Sequence, residues 1–234
     1  GTTSAPYSSG QNNTALGYQA LTAFTTGDNN TAIGYLALND NTSAGNNVAI
    51  GADASHKGTT ANKNVAVGNL ASYFNETGIY NVSIGYEAMK GASGNSHSNN
   101  VAVGYLALTS VTTGGSNVAI GTNAGNSLTS GGSNIMIGNG VATTLSTGGS
   151  NVIIGTIAGT AVSEGEKNVL IGREAGKDIS SGDSNVAIGY QALYSENTGT
   201  YAVSIGYRSG YKTRLSAQNE NVFIGSNAGR ENTD

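Results

Sequence analysis

The sequence predicts an all-β fold, a parallel β-solenoid of thirteen coils of about 17 residues, and two observations carry that prediction. A five-residue motif with the consensus Asn-Val-Ala-Ile-Gly recurs thirteen times, and ten of its twelve intervals are 17 residues long while the other two are 19. A period this regular indicates one structural unit stacked on copies of itself. The chain is also rich in glycine, with 36 residues, and has only 10% charged residues. Disordered chains share that composition but lack a periodic Val and Ile pattern, so we expect an ordered repeat protein.

The thirteen motifs divide the chain into one repeat domain and two short ends. We expect an irregular segment over residues 1–12, the solenoid over residues 13–229 and a tail over residues 230–234. The first residue is glycine rather than methionine, so we expect the chain to be a processed or excised piece. The closing glycines of the motifs are Gly17, Gly34, Gly51, Gly68, Gly85, Gly104, Gly121, Gly138, Gly155, Gly172, Gly189, Gly206 and Gly225.

Each coil is expected to contain a strong strand, a weak strand and a polar return loop. In the motif at Val118–Ile120, the first and third residues share one face of a strand and Ala119 lies on the other. We expect Val and Ile to fill the interior, because β-branched residues favour a packed, pleated surface. Gly121 permits a sharp corner. A second short segment with a recurrent Ala follows, and then a turn rich in Thr, Gly and Ser.

The middle residue of the motif varies in size, and its position on the strand bears on how the chain associates. It is Ala or Ser in nine copies and a larger apolar residue in the other four. If Val and Ile are internal, this column faces outward as an exposed apolar stripe, which favours packing of several chains around one axis. We therefore predict a homotrimer. The opposite assignment, with Ala inside a thin coil and Val and Ile at the subunit interface, also predicts an oligomer. The candidate interface residues under the first assignment are Ala119, Met136, Ile153, Leu170, Ala187 and Phe223.

An Asn precedes the apolar residues in twelve of the thirteen motifs, and only Ala202 interrupts this column. Stacked Asn side chains can donate and accept amide hydrogen bonds between neighbouring coils, as in the Asn ladders of cross-β assemblies. We expect a structural ladder rather than a ligand-binding stripe. Its central members are Asn117, Asn134, Asn151, Asn168 and Asn185.

Six of the twelve tyrosines directly follow a motif glycine and fall in consecutive pairs of coils. They are Tyr18, Tyr35, Tyr86, Tyr105, Tyr190 and Tyr207. Such pairs are expected to stack along the solenoid; the functional alternative is a platform for the sugar rings of a host glycan. The two 19-residue intervals place extra residues in loops within about 89–99 and 208–220. The first loop contains His97 and the second contains Tyr211, Lys212 and Arg214, which form a local basic and aromatic spot. These four residues complete the set of candidate ligand contacts.

Several classes of function have no support in the sequence. The net charge is −4 and no basic run exceeds a pair, so we expect no nucleic-acid partner. No stretch approaches the ~20 apolar residues that cross a bilayer, so we expect no membrane insertion. The two histidines, His56 and His97, are expected on surface loops, and the carboxylates are scattered. We expect no metal, no cofactor and no catalytic site, and therefore no enzyme.

The repeats resemble the head repeat of trimeric autotransporter adhesins (YadA-like heads), whose consensus also contains Val-Ala-Ile-Gly after an Asn-containing turn. Coils such as 30–38 and 185–193 are even more similar to repeats of phage tail fibres and bacterial tail-fibre-domain proteins. The resemblance implies a left-handed parallel β-roll three chains wide. This chain differs from the adhesin heads in its longer return loop and in the Asn that directly precedes Val.

These observations predict a structural and adhesive fibre segment, the trimeric β-roll shaft of a phage tail fibre or a bacterial surface adhesin. Its partners would be further copies of itself and a cell-surface glycan or protein receptor. We expect an extracellular, cell-surface or virion location. Two alternatives remain open: a self-assembling extracellular filament subunit that stacks head to tail, and a glycan- or ice-binding solenoid.

Overall fold

In the computed structural model, residues 9–195, 197–212 and 220–231 are described, and every regular element among them is a three-residue β-strand. The strands coincide with the apolar residues of the thirteen motifs, as the sequence predicts. Their bounds are β1 Thr14–Leu16, β2 Thr31–Ile33, β3 Val48–Ile50, β4 Val65–Val67, β5 Val82–Ile84, β6 Val101–Val103, β7 Val118–Ile120, β8 Ile135–Ile137, β9 Val152–Ile154, β10 Val169–Ile171, β11 Val186–Ile188, β12 Val203–Ile205 and β13 Val222–Ile224.

The chain forms two compact units, one up to Ser116 and one from Asn117 onward. In the first unit β1 to β6 pair in parallel in chain order, and in the second β7 to β13 do the same. Equivalent residues are in register, so that Val152 lies opposite Val169 and Ile154 opposite Ile171. Each unit is therefore a parallel β-solenoid, and the predicted all-β repeat fold is confirmed.

The leading prediction for the two faces of the strand is wrong, because the middle residue of each strand points into the coil. We call this set of middle residues the inner column. Ala119, Met136, Ile153, Leu170 and Ala187 have no exposed surface in the single chain. Phe223, in the last strand, is half-buried. The first five residues are thus enclosed by their own chain and cannot form a subunit interface. The part of the opposite assignment that places the middle residue inside a thin coil is confirmed.

In nine of the thirteen coils, a large residue at either the inner column or the position six residues later is paired with a small residue at the other. In the other four coils, such as that of Ala119 with Gly125, both residues are small. Met136, Ile153, Leu170 and Phe223 are followed at that distance by Ala142, Gly159, Gly176 and Gly229, whereas Ala32, Ala102 and Ala187 are followed by Leu38, Leu108 and Leu193. A Cβ added at Gly176 would come within 2.6 Å of the Leu170 side chain, and one at Gly159 within 3.1 Å of Ile153. The two positions therefore fill one shared volume at close-packed density.

The first and third residues of each strand point outward, and we call them the outer columns. Their Val, Ile and Thr side chains are half-buried or exposed in every strand. Ile50, Ile84 and Ile135 are 37–39% exposed although each lies between two neighbouring strands of its unit, and Ile120 in β7 is 38% exposed. Each unit therefore carries a continuous strip of β-branched apolar residues on its surface.

The predicted second, weak strand is a series of turns instead. Leu36 and Leu38 have φ values of 54° and 49°, and the equivalent residues of the other coils are also in the left-handed region. The reversed peptide orientations send the Leu36 N–H to Tyr18 O in the preceding coil and the Leu38 N–H to Ala54 O in the following one. These inter-coil hydrogen bonds, at 2.9 and 3.0 Å, offset the cost of the strained conformation.

The motif glycine is required by both backbone conformation and space. Gly155 has a φ of 138°, and a Cβ there would lie 2.6 Å from the Gly172 carbonyl carbon of the next coil. Few residues other than glycine adopt this conformation without strain. The corner predicted at Gly121, whose φ is 130°, is therefore confirmed.

Candidate functional surfaces

The Asn column forms a buried ladder that ties consecutive coils together. In the second unit Asn151 Nδ2 donates to Gly165 O at 2.8 Å and to Asn134 Oδ1 at 3.0 Å. Its Oδ1 accepts the backbone N–H of Asn168 at 2.9 Å. The same arrangement recurs through Asn134, Asn168 and Asn185, and all of these side chains are buried. The predicted structural ladder is confirmed, and its amides are occupied by the chain itself.

The break in the ladder at Ala202 preserves part of the pattern. The Ala202 N–H still donates to Asn185 Oδ1 at 2.9 Å, and its carbonyl accepts the Val186 N–H at 2.8 Å. The side chain is fully buried. The backbone at Ala202 therefore keeps its register without an Asn side chain. The ladder and the strand pairing both stabilise the same backbone conformation.

A second column of hydroxyl residues lies on the return loops. The Thr129 hydroxyl donates to Ser146 O at 3.0 Å, the Ser146 hydroxyl to Ser163 O at 3.1 Å and the Ser163 hydroxyl to Ser180 O at 3.2 Å. The hydroxyls are bound to the protein backbone, which limits their use as an ordered surface for ice or glycan.

The six tyrosines that follow motif glycines form three stacked pairs. The ring centroids of Tyr18 and Tyr35 are 5.5 Å apart, and those of the other two pairs are both 5.4 Å apart. The planes within a pair deviate from parallel by 10°, 13° and 16°. The predicted stacking along the solenoid is confirmed. Within a pair, the two facing sides of the rings cover each other, and five of the six tyrosines are exposed while Tyr190 is half-buried.

The three pairs differ in their neighbours. Beside the second pair, the Tyr86 hydroxyl donates a hydrogen bond to the Glu87 carboxylate, which raises the pKa of Tyr86. Beside the third pair, Arg208 lies 5.9 Å from the Tyr190 ring centroid and 5.4 Å from that of Tyr207. The second pair is thus next to an anion and the third next to a cation.

Arg208 also joins the third pair to another stack. Its guanidinium carbon is 5.2 Å from the ring centroid of Tyr211, which stacks on Tyr194 at 5.0 Å. Cation–π contacts of this kind restrain a guanidinium while leaving its N–H groups at the surface. We call Tyr190, Tyr194, Tyr207, Tyr211 and Arg208 the tyrosine–arginine cluster.

A line of hydrogen bonds fixes the position of this arginine. The Arg208 Nε donates to Gln191 Oε1 at 2.8 Å, and Gln191 Nε2 donates to Glu174 Oε2 at 2.6 Å. Gln191 and Glu174 are buried. The exposed Arg173 contacts the same carboxylate at 3.4 Å. The cluster therefore rests on a buried polar support.

Two further cations flank the cluster. Lys177 Nζ donates to the Tyr194 hydroxyl at 2.9 Å, which raises the pKa of Lys177. Lys212, one of the predicted contacts, is exposed and lies 3.9 Å from Glu231. The structure thus joins Tyr211 to Tyr190 and Tyr207 through Arg208, although the sequence interpretation treated these tyrosines separately. Arg214 lies outside the described residues.

The prediction of a surface position for His97 is wrong. The side chain is fully buried, and both ring nitrogens lack a hydrogen-bond partner among the described residues. Burial lowers the pKa of His97 to about 4. The carbonyl of His97 accepts Asn81 Nδ2 at 2.8 Å just as the carbonyl of Gly78 accepts Asn64 Nδ2 at 2.9 Å. His97 therefore occupies an inward-facing position that is Gly or Ala in neighbouring coils, and it is not available as a ligand contact.

The extra residues of the first 19-residue interval form a small projection at 92–94. These three residues are exposed, and Gly94 has no neighbour near its Cβ position. The Gly94 N–H donates to Glu76 Oε1 at 2.8 Å. The prediction that this interval projects as a loop is thus confirmed for residues other than His97.

His56 lies in an acidic and aromatic environment on another coil. Its Nδ1 is 2.8 Å from Asp53 Oδ1, its Nε2 is 3.8 Å from Asp40 Oδ1, and its ring contacts Tyr73 edge-on at 5.0 Å. Within the described part of the chain, no group of three or more His, Cys, Asp or Glu residues could hold a metal ion. A search of the same residues finds no helix with the length and apolarity of a membrane span.

Sequence reasoning missed the position of Arg208 beside the third tyrosine pair. Gln191 and Arg208 occupy the same position in consecutive coils as Gln19 and Leu36 do beside the first tyrosine pair. Alignment of the coils at the motif glycine would have placed the arginine between the tyrosines.

Comparison with known protein families and with characterised proteins finds no match to this chain.

Proposed function

We propose that the chain is a rigid segment of a homotrimeric extracellular fibre, such as the shaft of a phage tail fibre or the head of a bacterial surface adhesin. The observation that supports it is the pair of outer columns, which leave Val and Ile side chains on the surface of each unit. Strips of this kind on a soluble chain mark association surfaces. The proposal of three chains and of a left-handed coil follows from the resemblance of the repeats to trimeric adhesin heads.

The geometry favours display rather than chemistry. The interior of each unit is filled by the inner column and by apolar residues of the turns such as Leu128 and Val162, and the buried Asn amides are occupied by the ladder. The surface that remains is a regular array of return loops and tyrosine pairs on a stiff support. Three-fold repetition of a weak contact raises its effective affinity through multivalency. The proposed role is therefore non-enzymatic attachment to a cell-surface receptor.

Cysteine accessibility tests the association surface, because the chain has no native cysteine. Ile120→Cys places a thiol on an outer column, and Ser127→Cys places one on an exposed turn of the same coil. In a trimer held by the outer columns, we expect iodoacetamide to label Ser127→Cys at least about tenfold faster than Ile120→Cys. Equal labelling rates for the two variants would contradict the proposal.

The labelling rates are interpreted together with the molecular mass of the native protein. In a denaturant that separates and unfolds the chains, both thiols should react at the same rate. Rapid labelling of Ile120→Cys in the native protein, together with a single-chain mass, would show that the outer columns stay open to water. End-to-end polymers in electron micrographs would instead favour the filament alternative.

A further inference from the structure

The tyrosine–arginine cluster differs from the two other tyrosine pairs in both composition and support. All three have paired rings, but only the third adds a second tyrosine stack and a guanidinium among the described residues. At the position of Arg208 the first pair has Leu36 and the second has Leu106. The backbone is the same at these sites, with φ values of 51°, 54° and 57°. The difference therefore lies in the side chains alone.

Arg208 is already held in place before any ligand arrives. Its Nε is bound to Gln191, and its guanidinium lies between three tyrosine rings. The terminal N–H groups can then form two parallel hydrogen bonds to an oxyanion, which a planar carboxylate accepts best. An arginine restrained in this way loses less side-chain entropy on binding than a free one.

The charges that contact the tyrosine rings favour an anion. Arg208 lies over three of the rings, and Lys177 Nζ is 5.0 Å from the ring centroid of Tyr194. Glu174 is buried and bound to Gln191. The exposed Arg173 and Lys212 are offset by carboxylates on the same coils, which include the exposed Asp178 and Glu231, so the local preference for an anion depends on Arg208 and Lys177.

The tyrosines define the rest of the ligand. Each offers an apolar ring edge and a hydroxyl that can donate or accept a hydrogen bond. A saccharide offers the complementary mixture of C–H surface and hydroxyl groups. We infer that the tyrosine–arginine cluster binds an acidic saccharide, with its carboxylate on Arg208 and its ring against the tyrosines. This inference rests on the proposed function in attachment and specifies the class of receptor that the fibre would bind.

Calorimetric titration of the intact chain with tetragalacturonate tests the site, and the methyl ester of the same tetrasaccharide is the uncharged control. We expect the acid to bind at least about tenfold more tightly than the ester, and its affinity to fall with added salt. Equal affinity for acid and ester, or no binding of the acid, would overturn the inference. Equally tight binding of a hexaglutamate peptide would overturn the saccharide assignment.

Two substitutions locate the binding. Arg208→Gln should weaken binding of the acid by about tenfold and leave the ester unchanged; glutamine occurs naturally at this position of the coil in Gln19 and Gln191, so the variant is expected to fold. Tyr207→Ala should also weaken binding, whereas the matched Tyr35→Ala should not. Equal effects of the two alanine variants would contradict a site at the cluster.

The assembly state separates this inference from the proposed function. A trimeric protein that fails to bind tetragalacturonate would contradict the acidic-saccharide site alone. A single-chain protein that binds it through Arg208 would contradict the fibre proposal alone.

Discussion

At the scale of single residues, the buried Asn ladder makes the largest polar contribution to each coil. The side chain of Asn151 satisfies a backbone carbonyl, a backbone N–H and a neighbouring amide oxygen, and none of these groups has access to water. A buried polar group that loses its hydrogen-bond partner destabilises the fold, because it cannot bind water instead. The ladder is therefore as important to the fold as the apolar core.

Substitution of Asn151 by alanine should lower the free energy of unfolding by about 3 kcal/mol, because it leaves at least two buried groups unpaired. Chemical denaturation followed by circular dichroism measures this change. The control is Asn69→Ala, where an exposed amide forms one hydrogen bond of 3.3 Å and we expect a loss within about 0.5 kcal/mol. Equal losses for the two variants would contradict a structural ladder.

His97 predicts a dependence of stability on pH. Its pKa falls from 6.5 to about 4 on folding, because burial disfavours the charged ring. The unfolded chain therefore binds a proton between these values that the folded chain does not. The stability contributed by neutral His97 is fully present above pH 6.5 and is lost as the pH falls toward 4, by about 3 kcal/mol in total.

The measurement is the denaturation midpoint between pH 7 and pH 4, compared with that of His97→Ala. Alanine occupies the equivalent inward position at Ala44 and Ala61, so this variant is expected to fold. The two proteins share every other side chain, so the difference between the two curves isolates His97. Parallel curves would show that His97 is not buried as a neutral side chain.

At the scale of the elements, the repeat period predicted where the strands lie but not which face of each strand is internal. The thirteen motifs located every strand, and the Asn column predicted the ladder. Alternation along a strand places Val118 and Ile120 opposite Ala119 but does not say which face is internal. The larger side chains were assigned to the interior, whereas the narrow coil admits one strand residue together with residues of the turns, such as Ala175 and Ile179 in the coil of Leu170.

The compensation between these two positions was visible in the sequence. Large residues at Ile153 and Leu170 coincide with glycine at Gly159 and Gly176, and Ala187 coincides with Leu193. Such pairing of sizes indicates a shared volume. It could have predicted that the middle residue is internal. The burial of His97 could not be predicted in the same way, since the two-residue insertion hides the register of its loop.

The shared volume can be tested by exchanging the two sizes within one coil. Leu170→Ala alone should cost about 2–5 kcal/mol through the cavity that it leaves. Gly176→Leu alone should cost about 1–3 kcal/mol through overpacking against Leu170. The double variant recreates the pair found at Ala187 and Leu193, so its loss should be smaller than the two single losses together by more than about 1 kcal/mol. Simple additivity in denaturation experiments would contradict this packing.

At the scale of the whole molecule, the outer columns decide whether the chain can exist alone. Strips of exposed Ile and Val favour association, and a charge placed among them should oppose it. We expect the double variant Ile120→Lys, Ile135→Lys to retain the strand signal in circular dichroism but to lose its assembly. The control is Thr122→Lys with Asn139→Lys, at exposed positions beyond the motif glycines of the same two coils.

Sedimentation equilibrium of these proteins is the measurement. The outer-column variant should have the mass of one chain, and the control should match the unaltered protein. A variant that stays assembled with two lysines on the strip would mean that association uses another surface.

The mass of the unaltered chain in dilute solution, determined by light scattering, tests the central claim most directly. The account predicts a value close to three times the 23.4 kDa of one chain, independent of concentration over the micromolar range. A stable, soluble species at 23.4 kDa would contradict it, because the outer columns of Ile and Val would then lie open to water.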